Sequence, residues 1–341
     1  MRRRKATSTA LLCVALMVTP LPARSWLGLV PPSRPQPVEL SPLHPTGSVY
    51  QGMRLGGALW LPPAMPDGVR LRGLSDLAWS ESEQVLYAVS DFGWLFRMRP
   101  VFENGRLTDV RLLDSHPLMD ASGRPWRGKW RDAEGLTFAP DPDGNPALFV
   151  SFERAPRITR IDIQGRWQAD VPLPAPFADA ASYANPNAAL EALTWHPRRG
   201  LLSGPESPPP GTKPAGHTPL FSLDGRRHPY LLHAGPRCAL VALSVWEGDE
   251  MLALERCYDA GRLEIALRRF TLPETDGFTI RPDNLALLRL QDGWLLDNFE
   301  GMTRIGARGL LLVSDDNDSA RQRTLLLYLE RIDPPPRRAA D

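Results

Sequence analysis

Apolar residues along this chain fall in short runs rather than in helical stripes. Runs such as LYAVS (86–90), ALFVSF (147–152) and LLLVS (310–314) are cut by polar turns rich in Gly, Pro and Asp. Short apolar runs bounded by turn signals predict β-strands, and no amphipathic helix of useful length is predicted. Five segments repeat one plan: an acid or Gly start, an apolar strand, a polar turn, and a second apolar strand closed by an acid. They are 72–91, 134–153, 191–206, 240–255 and 300–315, and they close on Asp91, Glu153, Glu206, Glu255 and Asp315. The closing acids lie 62, 53, 49 and 60 residues apart, which suits one propeller blade plus loop insertions. The starting position holds Glu134, Glu191 and Glu300, with Arg72 and Leu240 in the remaining two repeats.

Between the repeats, 157–167, 263–272 and 323–332 read as further strands, so each unit has three or four antiparallel strands. The fold class expected is all-β, a β-propeller of six blades, with five or seven as the alternatives. Residues 48–61 supply a further blade in that reading, closed by the C-terminal strand.

Outside the repeats, residues 1–25 read as a signal peptide, with Arg2 to Lys5 before a short apolar stretch. Residues 26–46 form a Pro-rich arm, 47–333 the propeller domain, and 334–341 a disordered tail. The expectation is a periplasmic or secreted monomer with no stable membrane insertion. Forty Lys and Arg against 39 Asp and Glu give a net charge of +1, which supplies no field for nucleic acid.

Removing the signal leaves Cys238 and Cys257, on two apolar strands around the turn Glu247-Gly248-Asp249. Pairing symmetric about that turn sets the cysteines opposite each other, within disulfide reach. The alternative is two separate buried thiols.

An antiparallel hairpin places the start of its first strand and the end of its second at one end. If these hairpins are the inner ones, closure gathers about eight carboxylates round one mouth of the central channel. Like charges at close range raise one another's pKa, and a hard cation with oxygen ligands compensates them: Ca²⁺ first, Mg²⁺ or Mn²⁺ next. Each acid can also be a turn cap or an Arg partner. Arg154 and Arg256 each follow a closing acid, and Arg157 and Arg160 lie close by; an Arg fork for phosphate and a structural pairing with the acids are the two readings. No nucleophile elbow, phosphate-binding Gly loop or dinucleotide fingerprint is present. His196, His217, His228 and His233 read as structural, and Trp79, Trp195 and Trp246 as core between blades.

DNFEGMTRI (297–305) followed by LLLVSDDNDSARQRTLLLYLE (310–330), with EGLTF and SFER (151–154) and LALERCYD (252–259), resembles the phytase-like family called "esterase-like activity of phytase". The resemblance covers roughly 50–330. It implies an exported propeller with an acid-rich site and, less directly, phosphoester hydrolysis. By motif it carries over Asp297, Asn298, Glu300, Asp315, Asp316, Asn317, Glu134, Glu153, Arg154 and Glu255. Asp318 stands where relatives carry an aromatic residue.

The leading expectation is a metal-dependent phosphoric-ester hydrolase acting on a small-molecule phosphoester. Glu134, Glu191, Glu300 and Asp315 are the catalytic candidates, and Arg154, Arg157 and Arg256 the substrate-binding ones. Glu134, Glu153, Glu191, Glu255, Asp297, Glu300, Asp315 and Asp316 are the metal candidates. Two alternatives stand beside it: a non-catalytic Ca²⁺-stabilised propeller that binds an envelope ligand, and a sugar-lactone or carboxyl-ester hydrolase.

Overall fold

Leu, Val, Ile and aromatic runs cut by turn residues give twenty-two strands and four three-residue 3₁₀ turns among the described residues. The structure, a computed structural model, describes residues 30–259 and 261–332. The expected signal peptide and C-terminal tail lie outside the described residues.

The chain opens with β1 (Gln36–Val38), β2 (Val49–Tyr50) and β3 (Met53–Trp60). Four antiparallel sheets of four strands follow. Blade one is β4 (Leu74–Ser80), β5 (Val85–Ser90), β6 (Trp94–Glu103) and β7 (Arg106–Pro117). Blade two is β8 (Ala133–Pro140), β9 (Pro146–Phe152), β10 (Arg157–Ile161) and β11 (Trp167–Val171). Blade three is β12 (Leu190–His196), β13 (Gly200–Pro205), β14 (His217–Ser222) and β15 (Arg227–Leu231). Blade four is β16 (Cys238–Glu247), β17 (Glu250–Asp259), β18 (Arg262–Thr271) and β19 (Asp283–Arg289). Blade five is β20 (Asn298–Ile305), β21 (Gly309–Asp315) and β22 (Leu325–Arg331), completed by β3 and then β1 from the N-terminus.

The propeller therefore has five blades, not the six that the length suggested. The N-terminal strand makes no blade of its own. Its Leu59 pairs opposite Leu326 of β22, so the two ends of the chain share one sheet. That pairing satisfies backbone groups on both strands that an open edge would leave bare, and it locks the ring. The Pro-rich segment contributes too, because Gln36–Val38 pairs with Ala58–Trp60 at the outside of the same blade.

The innermost strands β4, β8, β12, β16 and β20 lie side by side in a closed ring. Each neighbouring pair of blades encloses one apolar cluster, five in all among the described residues. A strand between two such clusters is covered on both faces. This explains why β5 and β21 are buried at every position and read as continuous apolar runs rather than alternating ones.

Every innermost strand carries a register shift near its start: Leu74/Asp76, Ala133/Leu136, Leu190/Ala192, Leu240/Ala242 and Phe299/Gly301. A bulge adds a residue and re-aims its side chain, here five times at one end of the ring. Space is tight there. A Cβ added to Gly301 would lie 2.6 Å from the Cα of Asp76, and one added to Gly135 would lie 2.7 Å from the Glu191 carbonyl. Small residues at this step let the inner strands approach.

Asp76 occupies the same step in blade one. Its two oxygens accept the amide protons of Leu136 at 2.8 Å and Met302 at 3.0 Å, which staples β4 to both neighbours. In blade four Cys238 and Cys257 are opposed in register and joined by a disulfide. Among the described residues no helix is long and apolar enough to cross a membrane.

Candidate functional site at the acidic mouth of the channel

Strand pairing fixes which residues are equivalent from blade to blade. At the end of each second strand, Asp91, Glu153 and Glu206 donate their amides to Gly73, Asp132 and Ala189, while Arg256 and Asp315 pair with Ala239 and Asn298. The end positions are thus Asp91, Glu153, Glu206, Arg256 and Asp315. The bulge positions, near the start of each first strand, are Ser75, Glu134, Glu191, Val241 and Glu300. With Asp132, which precedes β8, eight carboxylates gather at this mouth.

Two expectations change here. Ser75 and Val241, not Arg72 and Leu240, occupy the starting position in blades one and four. More importantly, Glu255 is not in the ring. It lies one residue before the position equivalent to Glu206 and Asp315, and adjacent strand residues face opposite sides of a sheet. Glu255 is fully buried between blades, with Arg268 at 2.8 Å, the Tyr230 hydroxyl at 2.8 Å and the His233 amide at 2.7 Å. Its near neighbours Cys238 and Cys257 are bonded to each other, so this group offers no metal site.

Arg256 takes the ring position instead. Its guanidinium donates to Asn298 Oδ1 at 2.7 Å and Glu206 Oε1 at 2.6 Å and pairs with Glu300. Asn298 in turn donates to Glu300 at 2.9 Å. Arg256 is therefore committed to blades three and five rather than to a ligand.

Several other candidates hold structural posts. Asp297 is paired with Arg323 at 3.1 Å and accepts its amide at 3.0 Å. Asp316 accepts from the amides of Gly73 and Asp318 and from the Thr324 hydroxyl, which joins blade five to blade one. Asp318 pairs with Arg70 and Arg72 across the same seam. Arg157 points away from the acids into an aromatic nest, 3.5 Å from the ring centre of Phe152 and 4.6 Å from that of Trp126; burial pushes its pKa down to about 10. Arg154 stays at the rim, 47% exposed, with Asp132 at 3.0 Å and Asn187 at 3.1 Å.

Asp132, Glu134 and Glu153 form the tightest group, each offering an oxygen within 4.8 Å of the others. Asp91 stands beside them, and its Oδ1 is buried without a hydrogen-bond partner. Burial, then the charges of Asp315 and Asp132, push Asp91 up to about 8. Burial, then Glu206 and Asp132, push Glu153 to about 8 as well. Burial, then their acidic neighbours, push Glu134 and Glu191 well above the usual carboxylate range. Asp315 rises to about 6 through burial, held back by the amide of Asn317. An oxygen-only donor set with excess negative charge and an orphaned carboxylate oxygen fits a hard divalent cation and does not fit a soft one.

Asp132, Asp76 and the ring role of Arg256 escaped the sequence reading. Asp132 had a signal, since DAEG at 132–135 parallels the DNFEG of the fifth repeat. Asp76 had none, because its partners are backbone amides on other blades.

Fold and mouth together define a class: a five-bladed propeller whose central channel opens among carboxylates. The family described as "Esterase-like activity of phytase" matches residues 69–318, and the chain belongs to this phytase-like family. No curated protein matches it. Among solved structures, the one titled "Structure of Dos1 propeller" is similar at 9% identity over 86% of this chain and 81% of that one, with a TM-score of 0.36.

Proposed function

We propose that the acidic mouth is the active site of a metal-dependent phosphoric-ester hydrolase exported from the cytoplasm. The observation that carries the reading is the Asp132, Glu134 and Glu153 group, whose oxygens converge within 4.8 Å beside the orphaned Asp91 oxygen. These four residues would hold a Ca²⁺ ion, with Mg²⁺ or Mn²⁺ as substitutes. When bound, the cation supplies positive charge to the phosphate oxygens and makes water more acidic.

The side chains do the rest. Glu191 lies across the ring from blade one, next to Glu134 and Glu206, and its place among the mouth carboxylates makes it the general-base candidate. It takes the proton of the attacking water as the new P–O bond forms and the ester P–O bond breaks, and the leaving oxygen takes a proton from solvent water. Arg154, at the rim with one flank on Asp132, orients a phosphate oxygen. Arg256 positions Glu300 and Glu206 rather than touching substrate. Export agrees with the Cys238–Cys257 bond, since disulfides persist in oxidising compartments.

A second reading draws on the same pairings. Arg256, Arg154 and Arg323 already neutralise Glu206 and Glu300, Asp132 and Asp297, which suits a Ca²⁺-stabilised propeller that only binds an envelope ligand. Thermal melting in EDTA and then in Ca²⁺, for wild type and Glu134→Gln, tests the metal. A panel of p-nitrophenyl phosphate, bis-p-nitrophenyl phosphate, a carboxyl ester and a sugar lactone tests the reaction. The hydrolase reading expects a Ca²⁺-dependent rise in Tm, lost in the variant, and Ca²⁺-dependent release of nitrophenol from a phosphoester. A Tm rise without turnover of any substrate favours the binding propeller. Turnover confined to the carboxyl ester or lactone overturns the phosphoester assignment.

A further inference from the structure

An anionic substrate meets an electrostatic obstacle at this mouth, because its lining is acidic and the carboxylates that stay ionised repel a phosphate dianion. The connection from blade one to blade two supplies opposite charge. Residues 120–131 (DASGRPWRGKWR) carry Arg124, Arg127, Lys129 and Arg131 against a single carboxylate, Asp120. Arg131 directly precedes Asp132, so the basic segment leads straight into the tightest acid group. Arg124 turns back towards Asp120 at 3.8 Å. Among the described residues, none of Arg127, Lys129 and Arg131 has a carboxylate within 4.0 Å, although the charge of Arg131 acts on Asp91 and Asp132.

The segment is a built structure. Met119 bridges to both Pro125 and Arg166, and the Trp126 amide donates to the Leu118 carbonyl at 3.0 Å. Asp120 Oδ1 accepts from the amides of Ser122 and Arg124. Trp126 sits edge-on to Phe152 at 4.9 Å, and Arg157 fills the nest beneath and donates to the Trp130 carbonyl. This is the post that Arg157 holds in place of a substrate contact. Gly128, at φ 56°, turns the tip into a short 3₁₀ turn. Lys129 then stands 5.2 Å over the half-exposed Trp130 ring, and Arg131 lies 4.9 Å from the Phe92 ring centre, next to Asp91. Two aromatic faces thus hold two cations by cation–π contact, Arg131 directly before Asp132 and Lys129 two residues earlier in the chain.

We propose that this loop is a cationic collar that anchors the phosphate group of a soluble phosphoester at the mouth, through Arg127, Lys129 and Arg131. The assignment rests on the hydrolase reading for its substrate class. A lipid headgroup carries the same chemistry, and the experiment separates the two sources.

Inorganic phosphate binding is measured by calorimetry on the full mature protein, in Mg²⁺ or in Ca²⁺ too dilute to precipitate it. Wild type, Arg127→Ala/Lys129→Ala and the charge-conserving Arg127→Lys/Lys129→Arg are compared. Both positions are exposed, so the Tm is expected to hold. The collar predicts roughly tenfold weaker phosphate binding in the alanine pair and near wild-type binding in the conserving pair. It also predicts a KM for p-nitrophenyl phosphate raised by about the same factor at unchanged kcat.

Equal phosphate affinity in wild type and alanine pair overturns the collar, as does a wild type that binds no phosphate. Co-sedimentation with phosphatidylglycerol vesicles lost in the alanine pair, at unchanged phosphate affinity, also overturns it and makes the loop a membrane-surface contact. A calorimetric difference with no turnover of any phosphoester removes the hydrolase reading and leaves the collar. Turnover with equal phosphate affinity does the reverse.

Discussion

Among the ten positions that ring the mouth, Arg256 is the one basic side chain, and its partners belong to the blades on either side of its own. Glu206 comes from blade three, and Glu300 and Asn298 come from blade five. Deleting one partner of such a buried set leaves charge uncompensated. Arg256→Ala is therefore expected to lose about 3 kcal/mol at pH 8 in urea unfolding and clearly less at pH 5, where the stranded Glu206, its pKa raised by burial, takes up a proton. An equal loss at both pH values would show that packing, not charge, is what Arg256 contributes. Glu255 and Arg256 are adjacent, and a carboxylate seemed the natural member of an acid ring. Only the register, with Leu240 opposite Glu255 and Ala239 opposite Arg256, shows that the arginine faces the channel.

At the level of the hairpin, blade four is the one whose two inner strands are covalently joined. The bond closes a loop of 19 residues in sequence, and a loop near that size restricts the unfolded chain by about 3 kcal/mol. Cys238→Ser/Cys257→Ser is expected to lower the free energy of unfolding by about that amount, checked by urea unfolding against oxidised and reduced wild type. Wild type under reductant should match the double variant. This pairing was legible because it is local: an apolar strand, a turn at Gly248 and a second apolar strand set the cysteines opposite each other. The pairing of residues 48–61 with the C-terminal strand was legible and is seen as β3 against β22. What was not legible is that β3 completes the blade of β20 to β22 instead of making a further one.

Over the whole molecule, the mouth carboxylates act as one charged body. Asp91 and Glu153 are pushed to about 8 by burial and by one another's neighbours, against about 4 for exposed acids. A carboxylate with a raised folded pKa lets the folded state keep protons that the unfolded chain releases. Its stabilising contribution is complete below about pH 4 and fades as pH rises through about 8. In EDTA, Tm is therefore expected to fall between pH 5 and 9, and Glu153→Gln to flatten that slope. A flat profile for wild type would mean that the arginines already balance the ring. The repeated strand–turn–strand pattern with its periodic acids determined, by itself, an all-β propeller, the hairpin disulfide and most residues of the acidic mouth, because these follow from contacts local in sequence. Tertiary closure decided the blade count, the removal of Glu255 from the ring, the entry of Arg256 and Asp132 into it, and the stapling by Asp76. Those features depend on bulge register and on strands brought together from distant parts of the chain, where a shift of one residue turns a side chain from the channel to the core.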